Sequence, residues 1–427
     1  MKGSAFFGTF AAMKNLLYFF VLTFLFSCSS ETNKTSNLKD GELLMDGKWL
    51  LNFNLSDNNI APCFFNLNKL GENYTVEFIN GEEKIAANDV VVNGNKITIS
   101  DPVFNTWFEG EIVNEKSIKG YWYKNDKTYS IPFEATFSNN LRFLNPTNKT
   151  PLIDVTGKWE VDFSPSTPSD HYKAIGKFSQ SDNKLTGTFM TETGDYRFLE
   201  GNVFGDSIFL SCFDGAHLFL FKAQLKNDSL YGTFWSGTHW HEPWVAGLND
   251  NFELTNPDSL TFLKEGYDNL AFTFPNLNKE SVSLSDEKYK GKVVIVNIMA
   301  PWCPNCKDET AYLSKLYKAN HKKGLEIIAL SFDKSNDYRL AKQNVEKIKS
   351  HFGAEYDFLI AGEASKIEAA KALPMLNHIM SYPTSIYIDR TGKIRKIRTG
   401  FYGPGTGDYY TRYIEQTDDF IAKLLAE

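Results

Sequence analysis

Two stretches of this chain repeat one another at a nearly constant offset, and that duplication restricts the fold more than any other feature. Gly47-Lys48-Trp49 recurs as Gly157-Lys158-Trp159, and Lys96-Ile97-Thr98-Ile99-Ser100 as Ser207-Ile208-Phe209-Leu210-Ser211. Lys116-Ser117-Ile118-Lys119-Gly120-Tyr121-Trp122 recurs as Asp228-Ser229-Leu230-Tyr231-Gly232-Thr233-Phe234, so the offset stays between 110 and 112 residues. Residues 47–138 and 157–254 are therefore two copies of one unit. Each copy reads as about eight short strands of period 2, separated by Asn/Asp/Gly turns, which means an antiparallel meander. A meander of that length removes its edges by closing into a barrel. The expectation is two all-β, barrel-like modules at 45–140 and 155–255, with one merged β-sandwich as the alternative. Of 35 Phe, 20 Tyr and 8 Trp, most fall before residue 255, as an aromatic-rich β region requires. Those interior aromatics are expected to fill the modules rather than line ligand pockets.

The N-terminus carries an address. Lys14 precedes an apolar run from Leu16 to Phe26, ended by Ser27-Cys28-Ser29-Ser30. A basic residue, a short apolar core and small residues at its end make a secretory signal over 1–27. The run falls short of the ~20 apolar residues of a spanning helix. Leu25-Phe26-Ser27-Cys28 resembles a bacterial lipobox, whose Cys is acylated, so Cys28 is the expected lipidation site and 28–44 a lipid-anchored tether. The alternative is an ordinary cleaved signal with an incidental Cys. Either way the chain is expected in the cell envelope, as a periplasm-facing lipoprotein in the first case. Export also places Cys63 and Cys212 where disulfides persist. They are either bridged or two buried free thiols, and their apolar strand contexts favour the second. A net charge of −7 argues against nucleic acid as a partner.

After Asn256-Pro257 strands begin to alternate with helical patterns, the signature of a mostly parallel sheet. That change of pattern predicts that residues 40–255 fold independently of an α/β domain over 268–427. Lys292–Ile298 is a continuous apolar run, suited to a strand covered on both faces. It leads into Ala300-Pro301-Trp302-Cys303-Pro304-Asn305-Cys306 and a helical pattern over 307–320. A Cys-x-x-Cys pair at a strand-to-helix junction has a chemical logic. The first thiol meets the free N–H groups and dipole of the helix start, which favour the thiolate. The second lies one turn on, close enough to close a disulfide and release a bound partner. Half of a zinc site would need two further ligands, and no second C-x-x-C or H-x-x-H occurs. His239 and His241 would share one strand face, with His217 as an outside third ligand, but a partly exposed rim is the plainer reading. No metal and no cofactor are expected.

Lys290-Gly291-Lys292, Trp302-Cys303-Pro304-Asn305-Cys306, Glu309, and Tyr382-Pro383-Thr384-Ser385 followed by Ile388-Asp389-Arg390-Thr391-Gly392 resemble the TlpA/ResA branch of the thioredoxin superfamily. The resemblance covers about residues 270–427. It implies a thioredoxin-like domain with a redox disulfide between Cys303 and Cys306. It also implies that Pro383 is a cis-proline facing that pair, with Tyr382 and Trp302 on the substrate side. Thioredoxin itself has an Asp on the strand before the site, where this chain has Asn297. In the TlpA/ResA branch a Glu three residues after the second Cys takes that role, and Glu309 holds the matching place. The bland alternative is a surface Glu at a helix start.

The reading that follows is an extracytoplasmic thiol–disulfide oxidoreductase acting on exported protein thiols and disulfides and fed by an upstream thiol donor. Cys303 would attack, Cys306 resolve and Glu309 handle the proton. Two other classes compete: a ligand- or partner-binding lipoprotein with an auxiliary redox domain, and a peroxiredoxin-like peroxidase. The second wants a Pro-x-x-x-Thr/Ser-x-x-Cys context and a nearby Arg, and neither surrounds Cys303.

Overall fold

In the computed structural model, which describes residues 44–427 apart from 72, 126, 139–140 and 145–148, the duplication becomes two nine-stranded antiparallel sheets. The expected signal peptide, Cys28 and the tether as far as residue 43 lie outside the described residues. In each sheet the first strand returns beside the last, with Trp49 opposite Phe137 and Trp159 opposite Leu248. The first sheet curls into a nearly closed barrel, left unpaired only between Glu83–Ala87 and Asp89–Asn93. The second closes fully, because Tyr172–Ser181 pairs with both Gly157–Phe163 and Lys184–Thr191. The two copies even share a side-chain contact: the indole N–H of Trp49 donates to Met45 O at 3.0 Å, and that of Trp159 to Val155 O at 2.9 Å.

Inward positions alternate along the strands and fill both barrels with aromatics, among them Trp49, Phe53 and Trp122 in the first and Phe163, Phe189 and Trp244 in the second. The barrels are not separate beads. Phe213, from the second, inserts into the core of the first, its ring 5.0 Å from Phe78 and 5.1 Å from Trp122. Arg142, in the connection between them, is buried and spends its guanidinium on both. It donates to Ile79 O and Glu200 Oε2 at 2.9 Å, to Asn80 Oδ1 at 3.0 Å and to Ser211 Oγ at 2.9 Å. Cys63 and Cys212 lie in the two different cores as free, buried thiols. Burial pushes the Cys63 thiol up to about 11.

The C-terminal domain is a five-stranded sheet ordered Asp357–Glu363, Leu325–Asp333, Val293–Met299, Thr384–Ile388, Ile394–Thr399. The first three strands run parallel, Thr384–Ile388 runs against them, and Ile394–Thr399 pairs antiparallel with Thr384–Ile388. Every residue of Val293–Met299 is buried, as its unbroken apolar run requires. Helices Pro304–Asn320, Tyr338–Phe352 and Asp408–Ala426 flank the sheet, and a short helix, Lys366–Ala372, was not anticipated from the sequence.

One expectation needs correction. His239 falls in the turn before the strand Trp240–Leu248, so it does not share a strand face with His241; no cluster of three or more potential metal ligands occurs among the described residues. The barrels pack against the C-terminal domain. Val103, Phe104 and Ala216 belong to the same apolar cluster as Cys306, Leu313 and Tyr413, and the described residues form one compact unit. Apolar loop residues at the barrel ends found a partner surface that strand periodicity does not reveal.

Candidate active site

The central strand ends at Met299, and the chain turns through Ala300–Trp302 into the helix Pro304–Asn320 with Cys303 as its N-cap. Pro304 occupies the first helical position, where a missing N–H is not needed. The Cys306 N–H donates to Cys303 Sγ at 3.3 Å, so one of the free amides of the helix start is aimed at the first sulfur. Such an amide, with the helix dipole behind it, aims partial positive charge at that sulfur. Cys303 Sγ also lies 3.4 Å from Tyr382 O, and the Tyr382–Pro383 bond is cis.

The two cysteines are unequal. Cys303 retains 9% exposure and Cys306 none. Burial first, and then the hydrogen bond and charge of Cys303, hold the Cys306 thiol well above its ordinary value. The sulfur of Cys306 accepts from Ala300 N at 3.5 Å.

Glu309 lies one turn beyond Cys306 and is buried, not at the surface. Asn297 and Ser385 face one another across adjacent strands, so the sheet register delivers both to the same carboxylate. Asn297 Nδ2 donates to Glu309 Oε2 at 2.6 Å, while Ser385 Oγ and Tyr413 OH donate to Oε1 at 3.1 and 2.8 Å. Burial raises the Glu309 carboxyl above its ordinary value, against those three hydrogen bonds, which favour the charged form. Asn297 thus does not replace a strand carboxylate; it orients one supplied by the helix. Tyr413 comes from the last helix, 104 residues on, and no sequence pattern marked it.

A second contribution comes from the closed barrel. Its hairpin Thr191–Tyr196 lies against the redox pair. Asn305, between the two cysteines, donates to Asp195 O at 3.4 Å, and Ser381 Oγ donates to Thr193 O at 2.6 Å. Asp195 Oδ2 accepts from Gly403 N at 2.6 Å, and burial pushes that carboxyl up to about 6. Gly194 sits at φ +150° with a would-be Cβ 2.2 Å from Asn305 Nδ2, so the approach requires glycine. Next to the hairpin, buried Arg197 bridges Asp308 of the redox helix, Glu83 of the first barrel at 2.5 Å and Asp214 of the second at 3.9 Å. One guanidinium therefore joins three modules. Nothing in the spacing of these residues foretold it.

Between the mouth of the closed barrel and the redox pair lies a cleft of about 1160 Å³. Tyr196, Phe234 and Glu242 line its barrel side, and Trp302, Cys303 and Tyr382 the other. Trp302 packs edge-on against Tyr382 with ring centroids 6.1 Å apart, and the Lys334 ammonium lies 4.4 Å above its ring. The residues expected on the substrate side are thus assembled around Cys303.

Comparison with known proteins bears on the same segment. The model of the AhpC/TSA family matches residues 266–397. The thiol–disulfide oxidoreductase ResA of Geobacillus thermodenitrificans is 32% identical over 129 residues, which are 30% of this chain and 66% of that one. The chain thus spans just under two thirds of that relative. The thioredoxin-like protein YneN of Bacillus subtilis is 30% identical over 138 residues, 32% of this chain and 73% of that one. A solved thiol:disulfide interchange protein of the thioredoxin family from Chlorobium tepidum is 20% identical, and the match covers 38% of this chain and 98% of that one at a TM-score of 0.29. Through its C-terminal domain, the chain belongs to the thioredoxin-like proteins.

Proposed function

We propose that the protein is an extracytoplasmic thiol–disulfide oxidoreductase that reduces or exchanges disulfides in exported proteins through Cys303 and Cys306. The supporting observation is the inequality of the pair: Cys303 keeps 9% exposure with its sulfur facing a helix amide, while Cys306 is fully buried with a raised pKa. The Cys303 thiolate attacks one sulfur of a substrate disulfide, forming a mixed disulfide and expelling the other sulfur as a thiolate, which takes a proton. Cys306 then loses its proton and attacks Cys303 Sγ, closing the intramolecular disulfide and releasing the second substrate thiol. Two electrons pass from the dithiol to the substrate, and an upstream thiol donor restores them. The backbone at Tyr382, 3.4 Å from Cys303 Sγ, is the ledge along which a substrate segment lies. Glu309, raised by burial and one helical turn from Cys306, accepts the Cys306 proton.

Replacing Cys306 by Ser should accumulate mixed disulfides on Cys303, recoverable with their partners by non-reducing electrophoresis and mass spectrometry. Cys303→Ser should accumulate none. Equal trapping by the two variants would reverse or remove the roles assigned here. The location rests on the sequence before residue 44, since no helix among the described residues is long and apolar enough to cross a membrane. Mass spectrometry of the mature protein should find a lipid-modified Cys28 at its N-terminus. A mature chain beginning elsewhere would end the tether but leave the redox centre untouched.

A further inference from the structure

The cleft beside Cys303 carries a cluster of aromatic rings on its barrel side. Tyr172, Tyr196, Phe219, Phe234 and Trp240 present aromatic surface from the mouth of the closed barrel. Tyr196 meets Phe234 edge-on at 5.1 Å and Phe219 at 5.3 Å, so the rings form a continuous cup. At its floor sits Glu242, 3% exposed. Its carboxylate accepts from Tyr172 OH at 2.8 Å and Ser164 Oγ at 2.6 Å, and Tyr172 OH is bonded in turn to Tyr196 OH at 2.7 Å. No basic side chain is paired with Glu242 among the described residues. A buried carboxylate held by hydroxyls alone lacks the cation that ordinarily offsets its lost hydration.

The basic groups on the barrel side of the cleft are committed elsewhere, while across it the Lys334 ammonium sits 4.4 Å above the Trp302 ring. The Lys173 ammonium at the rim is bound by Glu160 at 2.7 Å and Asp162 at 3.1 Å. His217 is tied to Asp214 at 3.2 Å, and burial together with Lys124 lowers the pKa of His239, disfavouring its charged form. Glu192 and Asp170 add negative charge along the cleft. Aromatic faces around a carboxylate are the arrangement that attracts a desolvated cation. A cleft of about 1160 Å³ also exceeds the ~300–1,000 Å³ usual for a single small ligand, which suits a peptide segment.

We propose that the closed barrel reads the substrate: its aromatic cup and Glu242 take a basic side chain, lysine or arginine, that neighbours the disulfide cysteine of a polypeptide attacked by Cys303. This deepens the redox reading and rests on it. The hairpin Thr191–Tyr196, held to Asn305 and Ser381, forms one wall beside Cys303 and fixes the distance from cup to sulfur. Under this proposal the duplicated β region contributes specificity to the chemistry rather than a separate binding activity.

The test uses the full-length, pre-reduced protein and two synthetic symmetrical peptide disulfides that differ only in Arg or Gln beside the cysteine. Single-turnover oxidation rates are each divided by the rate with dithiothreitol, which removes intrinsic differences in disulfide reactivity. The Arg peptide should then be favoured by roughly tenfold, the scale of a desolvated cation–aromatic contact. Glu242→Gln, which keeps the volume and leaves the aromatic faces in place, should lower that ratio to about threefold. Trp240→Leu changes a half-exposed rim residue and should lower the ratio in the same direction. Equal normalised rates for the two peptides in the unaltered protein, or a preference undiminished by both substitutions, would overturn the proposal. Failure of both peptides to oxidise the protein at all would instead overturn the redox reading beneath it.

Discussion

At the scale of residues, the redox pair gains its asymmetry from position alone. Cys303 caps the helix and meets an amide, while Cys306, one turn in, meets the underside of the strand end. The position of both was legible in the sequence, because strand, Cys-x-x-Cys and helix follow one another without interruption. The environment of Glu309 was only half legible: its i+3 spacing from Cys306 was visible, but its full burial and its bond to Tyr413 were not. That burial makes a pH prediction. A carboxyl with a raised folded pKa contributes stability that is fully present below its ordinary value of 4.5 and lost as pH rises through the folded value. Glu309→Gln is neutral throughout, so its stability relative to the unaltered protein should improve from pH 4 to pH 8, as read by urea unfolding. The same variant should form the first mixed disulfide normally but resolve it more slowly above neutrality. A stability difference that does not change with pH, together with unchanged resolution kinetics, would return Glu309 to a packing role.

At the scale of elements, period-2 alternation, Asn/Asp/Gly turns and the repeat offset foretold the meanders, and the apolar runs foretold the buried strands of the redox domain. Each of these signals is local, spanning a few residues or one strand. The docking of the Thr191–Tyr196 hairpin is of another kind. Arg197 and Asp308 are 111 residues apart, and the charges that clamp three modules belong to segments with no common pattern. Removing the buried cation leaves three enclosed carboxylates without it. Arg197→Met should therefore cost about 3–5 kcal/mol of stability, measured by denaturant unfolding, with a larger loss than Arg142→Met only if the redox domain also detaches. A loss below about 1 kcal/mol would mean that those carboxyls are rehydrated or protonated at little cost.

At the scale of the whole molecule, the barrels and the redox domain share apolar surface through Val103, Phe104 and Ala216, and Phe213 threads one barrel into the other. Unfolding followed by far-ultraviolet circular dichroism and by tryptophan fluorescence should accordingly give coincident transitions, as in a cooperative unit. Two resolved transitions would show that the modules are coupled only weakly. What the sequence determined by itself was everything set by neighbouring residues: the duplicated β-meanders, the parallel-sheet domain, the thiol pair at a helix start and the proline beside it. Backbone geometry ties side-chain direction to spacing along the chain, so these features leave a period or a motif. Only the tertiary structure decided how the barrels meet each other, which barrel mouth faces Cys303, and which distant hydroxyls and amides surround Glu309 and Glu242. Those contacts depend on surface shape and on burial of charges far apart in the chain, and neither imposes a period on the sequence.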